Sequence, residues 1–100
     1  MSTFQELIED EKPLLVDFFA TWCGPCRMMA PELEKLKQLV GDTVRIIKID
    51  VDKNQQAAMA YRVSGVPTLI LFQKGEILWR QSGAMTAKQL SEIIRSKTAA

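Results

Sequence analysis

Thr21-Trp22-Cys23-Gly24-Pro25-Cys26 stands where an apolar run, Leu14-Leu15-Val16-Asp17-Phe18-Phe19-Ala20, gives way to a segment with helical periodicity lasting to about Val40. The apolar run reads as a strand. Strand, short loop and helix in that order place two thiols in the first turn of the helix. Unpaired N–H groups and the positive end of the helix dipole lie at that point. A thiolate there is favoured over a thiol, and the thiolate is the reactive form. The spacing also lets the two sulfurs close a small ring with each other. Cys23, at the helix mouth, is the expected attacking thiolate, and Cys26, one turn further in, the shielded resolving thiol. Gly24 and Pro25 stiffen the loop and leave its surface flat.

Two cysteines so spaced also suit a metal site or an inert disulfide. Structural zinc takes four Cys or His ligands, and this chain has two Cys and no His, which argues against a zinc site within one chain. A metal shared between chains stays open, as does a disulfide that never opens. The latter, enclosing two residues at an exposed helix start, would contribute little to the fold. Cycling between dithiol and disulfide is therefore the favoured reading.

Composition bounds the rest. Residues 1–100 are enough for one domain with its own core, at 47% apolar and 25% charged residues. With 13 basic against 12 acidic side chains, nothing calls for nucleic acid or an anionic membrane as a partner. The longest apolar run is far short of the ~20 residues that span a bilayer. Met1-Ser2-Thr3-Phe4-Gln5-Glu6 has no basic or apolar leader character, so no signal peptide is read there. Both cysteines are spent on one motif, unlike a secreted disulfide scaffold. A cytoplasmic monomer is expected.

In chain order, Thr3 to about Asp10 predicts a short helix, with Thr3 and Glu6 at capping-box spacing and Phe4, Leu7 and Ile8 on one face. The strand Leu14 to Ala20 is apolar on both faces, as a central strand between helix layers should be. The helix after the cysteines buries Met29, Leu33, Leu36 and Val40, contains Pro31 and ends at Gly41. The Met28-Met29 pair reads as helix packing. Val44 to Val51 predicts a second strand, parallel to the first through a right-handed crossover. Asn54 caps a short helix through about Arg62, and Val63 to Pro67 is a loop. Thr68 to Gln73 and Glu76 to Gln81 form an antiparallel hairpin across Lys74-Gly75, with Trp79 on the sheet surface. After the Ser82-Gly83-Ala84 turn, Thr86 and Gln89 cap a last helix that buries Leu90, Ile93 and Ile94. The order αβαβαββα gives one α/β domain.

Asp17 is the least expected residue of the first strand. It shares a face with Leu15 and Phe19. One reading lets its carboxylate escape at the sheet end. The preferred one buries the acid, so that desolvation raises its pKa and it can take a proton from Cys26 as that thiol attacks. Lys48, in phase with Val44 and Ile46 on the neighbouring strand, is either its partner or an exposed edge lysine.

The element order, the WCGPC motif, the interior Pro31, the Val66-Pro67-Thr68 step and the Lys74-Gly75 hairpin together resemble the thioredoxin family from about Leu14 onward. The resemblance implies a central mixed four-stranded sheet flanked by helices. It also implies that Asp17 is the proton acceptor and that Pro67 is cis beside the disulfide, although most X–Pro bonds are trans. Trp22, Gly65, Val66, Pro67 and Gly83, with Gly24 and Pro25, then form the docking wall for a protein disulfide. No cofactor beyond the Cys23–Cys26 pair is implied, and a thioredoxin reductase is the implied electron donor. Gly-Pro between the cysteines is the family's reducing dipeptide.

Three departures stand out. The thirteen residues before Leu14 leave no room for the strand that usually precedes the first helix, so Val44–Val51 becomes a sheet edge, blunted by Arg45 and Lys48. Phe19 replaces a frequent Trp. Ser82 replaces a usual apolar residue of the substrate groove. The expected function is reduction of protein disulfides; the alternative is a redox-sensitive docking module without turnover.

Overall fold

The computed structural model describes residues 3–98. Its elements follow the expected order: α1 (Phe4–Glu9), β1 (Leu14–Phe19), α2 (Gly24–Val40), a 3₁₀ turn (Gly41–Thr43), β2 (Arg45–Asp50), α3 (Gln55–Ala60), β3 (Thr68–Gln73), β4 (Glu76–Ser82) and α4 (Ala87–Thr98). The boundaries differ from expectation by a residue or two. Ala20, Val44 and Val51 fall outside their strands, α3 stops before Arg62, and β4 gains Ser82.

The strands form one sheet in the order β2-β1-β3-β4. β1 pairs parallel with β2 and antiparallel with β3, and β3 with β4 antiparallel. This is the mixed four-stranded arrangement that the resemblance implied. Among the described residues no strand precedes α1, and β2 is a sheet edge.

Alternation along β1 divides the core. Leu15 faces a layer made by Met29, Leu33 and Leu36 of α2 and Leu90 and Ile94 of α4. Leu14, Val16 and Phe18 face the other side, with Ile8, Ile70 and Phe72, against which Phe4, Leu7 and Tyr61 pack. Each fully buried aliphatic or aromatic side chain here is worth ~1.5–3 kcal/mol of transfer free energy. The sheet pairs β1 on both sides, with β2 and β3, and Asp17 lies in the middle of it.

Both predicted capping boxes form. In the first, Glu6 N–H donates to Thr3 Oγ1 at 3.1 Å and Thr3 N–H to Glu6 Oε1 at 3.2 Å. In the second, Gln89 N–H donates to Thr86 Oγ1 at 3.1 Å and Thr86 N–H to Gln89 Oε1 at 3.0 Å. At the hairpin, Lys74 and Gly75 both take positive φ, 54° and 82°, as a two-residue turn between twisted strands requires.

Five side-chain expectations need correction. Trp79 is half-buried against the α2–α4 layer together with Leu78. The register shift between Leu71 and Phe72 leaves Leu78 unpaired, and that bulge turns two consecutive side chains inward. Met28 is 68% exposed and only Met29 packs, because consecutive helical positions point about 100° apart. Ile93 and Val40 are half-buried rather than buried. Asn54 makes no side-chain cap; its Nδ2 donates back to Asp50 O at 3.0 Å.

Candidate active site

Cys23 is the N-cap of α2, in extended conformation, and its Sγ accepts the Cys26 N–H at 3.1 Å. The sulfur thus occupies the place that a Ser or Asp oxygen takes in an ordinary N-cap. Cys23 N–H donates to Ala20 O at 3.2 Å and Arg27 Nη2 to Thr21 O at 3.0 Å, which closes the loop against the end of β1. Pro25, in the first turn, lacks only an N–H that would find no helical partner there.

Cys23 and Cys26 are joined in a disulfide, with Cα atoms 5.3 Å apart. The expected difference in shielding does not show in overall burial, since both residues are 4% exposed. What differs is what each sulfur's residue faces. Cys23 Sγ lies 3.6 Å from the Val66 carbonyl oxygen. Cys26 instead borders a cleft of about 280 Å³ shared with Phe19, Ala30 and Lys48.

Asp17 has no solvent exposure, and neither carboxylate oxygen has a hydrogen-bond partner. Loss of hydration raises its pKa to about 6, against a smaller opposing pull from the Lys48 charge. Lys48 stands opposite Asp17 in the β1–β2 register. Among the described residues no ion pair joins the two. Lys48 is exposed, with its Nζ 4.8 Å from the centre of the Phe19 ring, a cation–π distance. It acts on Asp17 through the field and not through a hydrogen bond.

Of the other expected residues, Val66 comes next to Cys23 through its carbonyl oxygen. Trp22 is 68% exposed, and its Nε1–H donates to Asp52 Oδ2 at 2.9 Å. Asp52 is in turn set by Asp50, whose Oδ1 accepts the N–H groups of Asp52 and Lys53 at 2.9 and 3.3 Å. Asp52 was not among the expected site residues. A carboxylate turn after a strand is legible, but nothing in the sequence ties it to a tryptophan thirty residues earlier.

The Val66–Pro67 peptide bond is cis and Pro67 is buried. Gly83, at φ 102°, directs its N–H to Pro67 O at 2.9 Å; a side chain there would be strained. Thr68 Oγ1 donates to Gly65 O at 2.6 Å, and Ser82 Oγ lies 3.0 Å from the same hydroxyl. The Thr68 proton is committed to Gly65, so Ser82 is the donor in that pair. Gly24 and Pro25 are exposed at the helix start. Among the described residues, no group of three or more His, Cys, Asp or Glu side chains is placed to hold a metal ion.

Known proteins similar to this chain are numerous. The thioredoxin family model matches residues 1–96. Thioredoxin Y, chloroplastic, of Oryza sativa subsp. japonica is 45% identical over 96 residues, which cover 95% of this chain and 57% of that protein. Thioredoxin of Bacillus subtilis (strain 168) is 45% identical over 84 residues, covering 84% of this chain and 81% of that protein. In structure, mitochondrial thioredoxin 3 from Saccharomyces cerevisiae, in its oxidized form, is similar with a TM-score of 0.83 at 40% identity, over 93% of this chain and 86% of that one. The chain spans a little over half the length of the rice protein and of thioredoxins Y1 and Y2, chloroplastic, of Arabidopsis thaliana. A match over nearly all of its residues, at these identities and on this fold, means that the chain belongs to the thioredoxin family.

Proposed function

We propose that this chain reduces disulfides in protein substrates by cycling Cys23 and Cys26 between dithiol and disulfide. The observation that carries the reading is the Cys23–Cys26 disulfide at the first turn of α2, with the Cys26 N–H aimed at Cys23 Sγ. In the reduced protein that N–H and the helix dipole stabilise a Cys23 thiolate.

The thiolate attacks one sulfur of a substrate disulfide, and the other substrate sulfur leaves and takes a proton. Cys26 gives its proton to the Asp17 carboxylate and attacks Cys23 Sγ, which releases the second substrate thiolate. The substrate gains two electrons and two protons, and the chain is left with Cys23–Cys26 oxidised. A pKa of about 6 suits Asp17 to this task, because it is ionised near neutral pH yet basic enough to hold a proton briefly. Lys48 keeps that value from rising further.

The substrate segment docks on Trp22, Gly24, Pro25, Gly65, Val66, Pro67 and Gly83. Support comes from the glycines: a Cβ on Gly24 or Gly65 would meet no atom within 4 Å. Their own fold gives no steric reason for glycine, whereas close approach by a partner does. A thioredoxin reductase re-reduces the pair, no separate cofactor enters, and the chain works as a monomer in the cytoplasm, where thiols are kept reduced.

Insulin reduction tests the reading. Wild type should turn over with a thiol donor, and Cys23→Ser and Cys26→Ser should not. Wild type without turnover would leave a redox-sensitive docking module as the better account.

A further inference from the structure

The segment that delivers Val66 and Pro67 to the disulfide is fastened at its start by a side chain from β4. α3 ends at Ala60, and Arg62 follows in the left-handed region at φ 53°. The last carbonyls of a helix have no partner within it. Just past α3, the carbonyls of its C-cap Tyr61 and of Arg62 accept hydrogen bonds from Arg80, from Nη1 at 2.6 Å and from Nη2 at 3.2 Å respectively. A guanidinium is suited to this, with a rigid fork of donors and a positive charge at the negative end of the helix.

The sheet register explains why Arg80 reaches there. Arg80 stands opposite Ile70, and Ile70 belongs to the core layer on which Tyr61 and Val63 pack. Farther along, Thr68 Oγ1 holds Gly65 O and Gly83 N–H holds Pro67 O. Arg80 is thus the upstream side-chain anchor of a segment whose far end sets the Val66 carbonyl 3.6 Å from Cys23 Sγ.

We propose that Arg80 is a positioning residue for substrate docking: by binding the Tyr61 and Arg62 carbonyls it fixes the segment that carries Val66 and Pro67 against Cys23. This rests on the protein-disulfide reading above. Arg80 touches neither sulfur, so its effect falls on docking and not on the sulfur chemistry.

The experiment compares wild type, Arg80→Ala and Arg80→Lys on insulin and on a small aryl disulfide that needs no docking surface. Arg80→Ala should raise KM for insulin roughly fivefold, with kcat and the aryl disulfide rate unchanged, and Arg80→Lys should recover part of the loss. An unchanged KM, or equal losses on both disulfides, would overturn the proposal. Should wild type fail to reduce insulin, the reductase reading falls, and amide hydrogen exchange from Val63 to Val66 decides the positioning role alone. Faster exchange in Arg80→Ala supports it; unchanged exchange overturns it.

Discussion

Asp17 sits in β1 with no exposure and no hydrogen-bond partner, and its folded pKa of about 6 lies above the ordinary 3.8. The fold therefore prefers the protonated acid. That preference is fully present below pH ~3.9, is lost as pH rises through about 6, and stays level above it; the gap amounts to about 3 kcal/mol. Asp17→Asn keeps a neutral polar group in place. In urea unfolding of the oxidised protein it should match wild type near pH 4 and exceed it by about 3 kcal/mol at pH 8. The same substitution removes the proposed proton acceptor and should slow turnover of a protein disulfide. Equal stability at pH 8 with unchanged turnover would contradict both halves. At Cys23, the N–H of Cys26 favours the thiolate, so brief iodoacetamide treatment of the reduced protein should label Cys23 well before Cys26. Peptide mapping that finds equal labelling would remove the assignment of roles. That Asp17 is buried was legible in the strand's alternation. That Lys48 rests over Phe19 was not, because a four-carbon side chain can take many directions from one backbone position.

The helices and strands were legible because each carries its own period and punctuation: capping boxes at Thr3 and Thr86, the Lys74-Gly75 turn, and apolar stripes at helical spacing. What escaped depended on contacts distant in sequence. The bulge that turns Leu78 and Trp79 to the same side arises from register with β3, which a period-of-two reading of β4 alone cannot contain. The Trp22–Asp52 bond and the Arg80 clamp likewise join different elements. The clearest case is α1, whose apolar face predicts that it packs but not how firmly it is tied. Gly75 N–H donates to Ile8 O and Lys74 N–H to Asp10 O, each at 3.0 Å, and Arg45 Nη1 pairs with Asp10 Oδ2 at 2.8 Å. Phe4, Tyr61 and Phe72 form edge-on aromatic contacts, the closest at 5.1 Å. Deleting residues 1–11 strips buried Ile8 and half-buried Phe4 and Leu7 from the sheet and should cost several kcal/mol in urea unfolding, at ~1.5–3 kcal/mol for a fully buried side chain and less for the other two. A midpoint equal to wild type would mean that α1 contributes nothing to the core.

Across the whole molecule, two helix layers hold a four-stranded sheet, and the reactive pair lies at one end of it, where β1 runs into α2 and the Val66–Pro67 step meets Gly83. The sheet edge at β2 follows from the absence of a preceding strand among the described residues; the side chains of the proposed mechanism come from β1, the loop into α2, α2 itself, β2 and the segment before β3. In the proposed cycle Cys23 attacks and Cys26 resolves. Cys26→Ser stops the cycle after the first step, so the reduced variant, incubated with insulin, should accumulate as a mixed disulfide. Mass spectrometry of its peptides should show the Cys23 peptide linked to an insulin cysteine, with the adduct released by added thiol. Failure to form that adduct, in a variant whose Cys23 remains a free and folded thiol, would contradict the account.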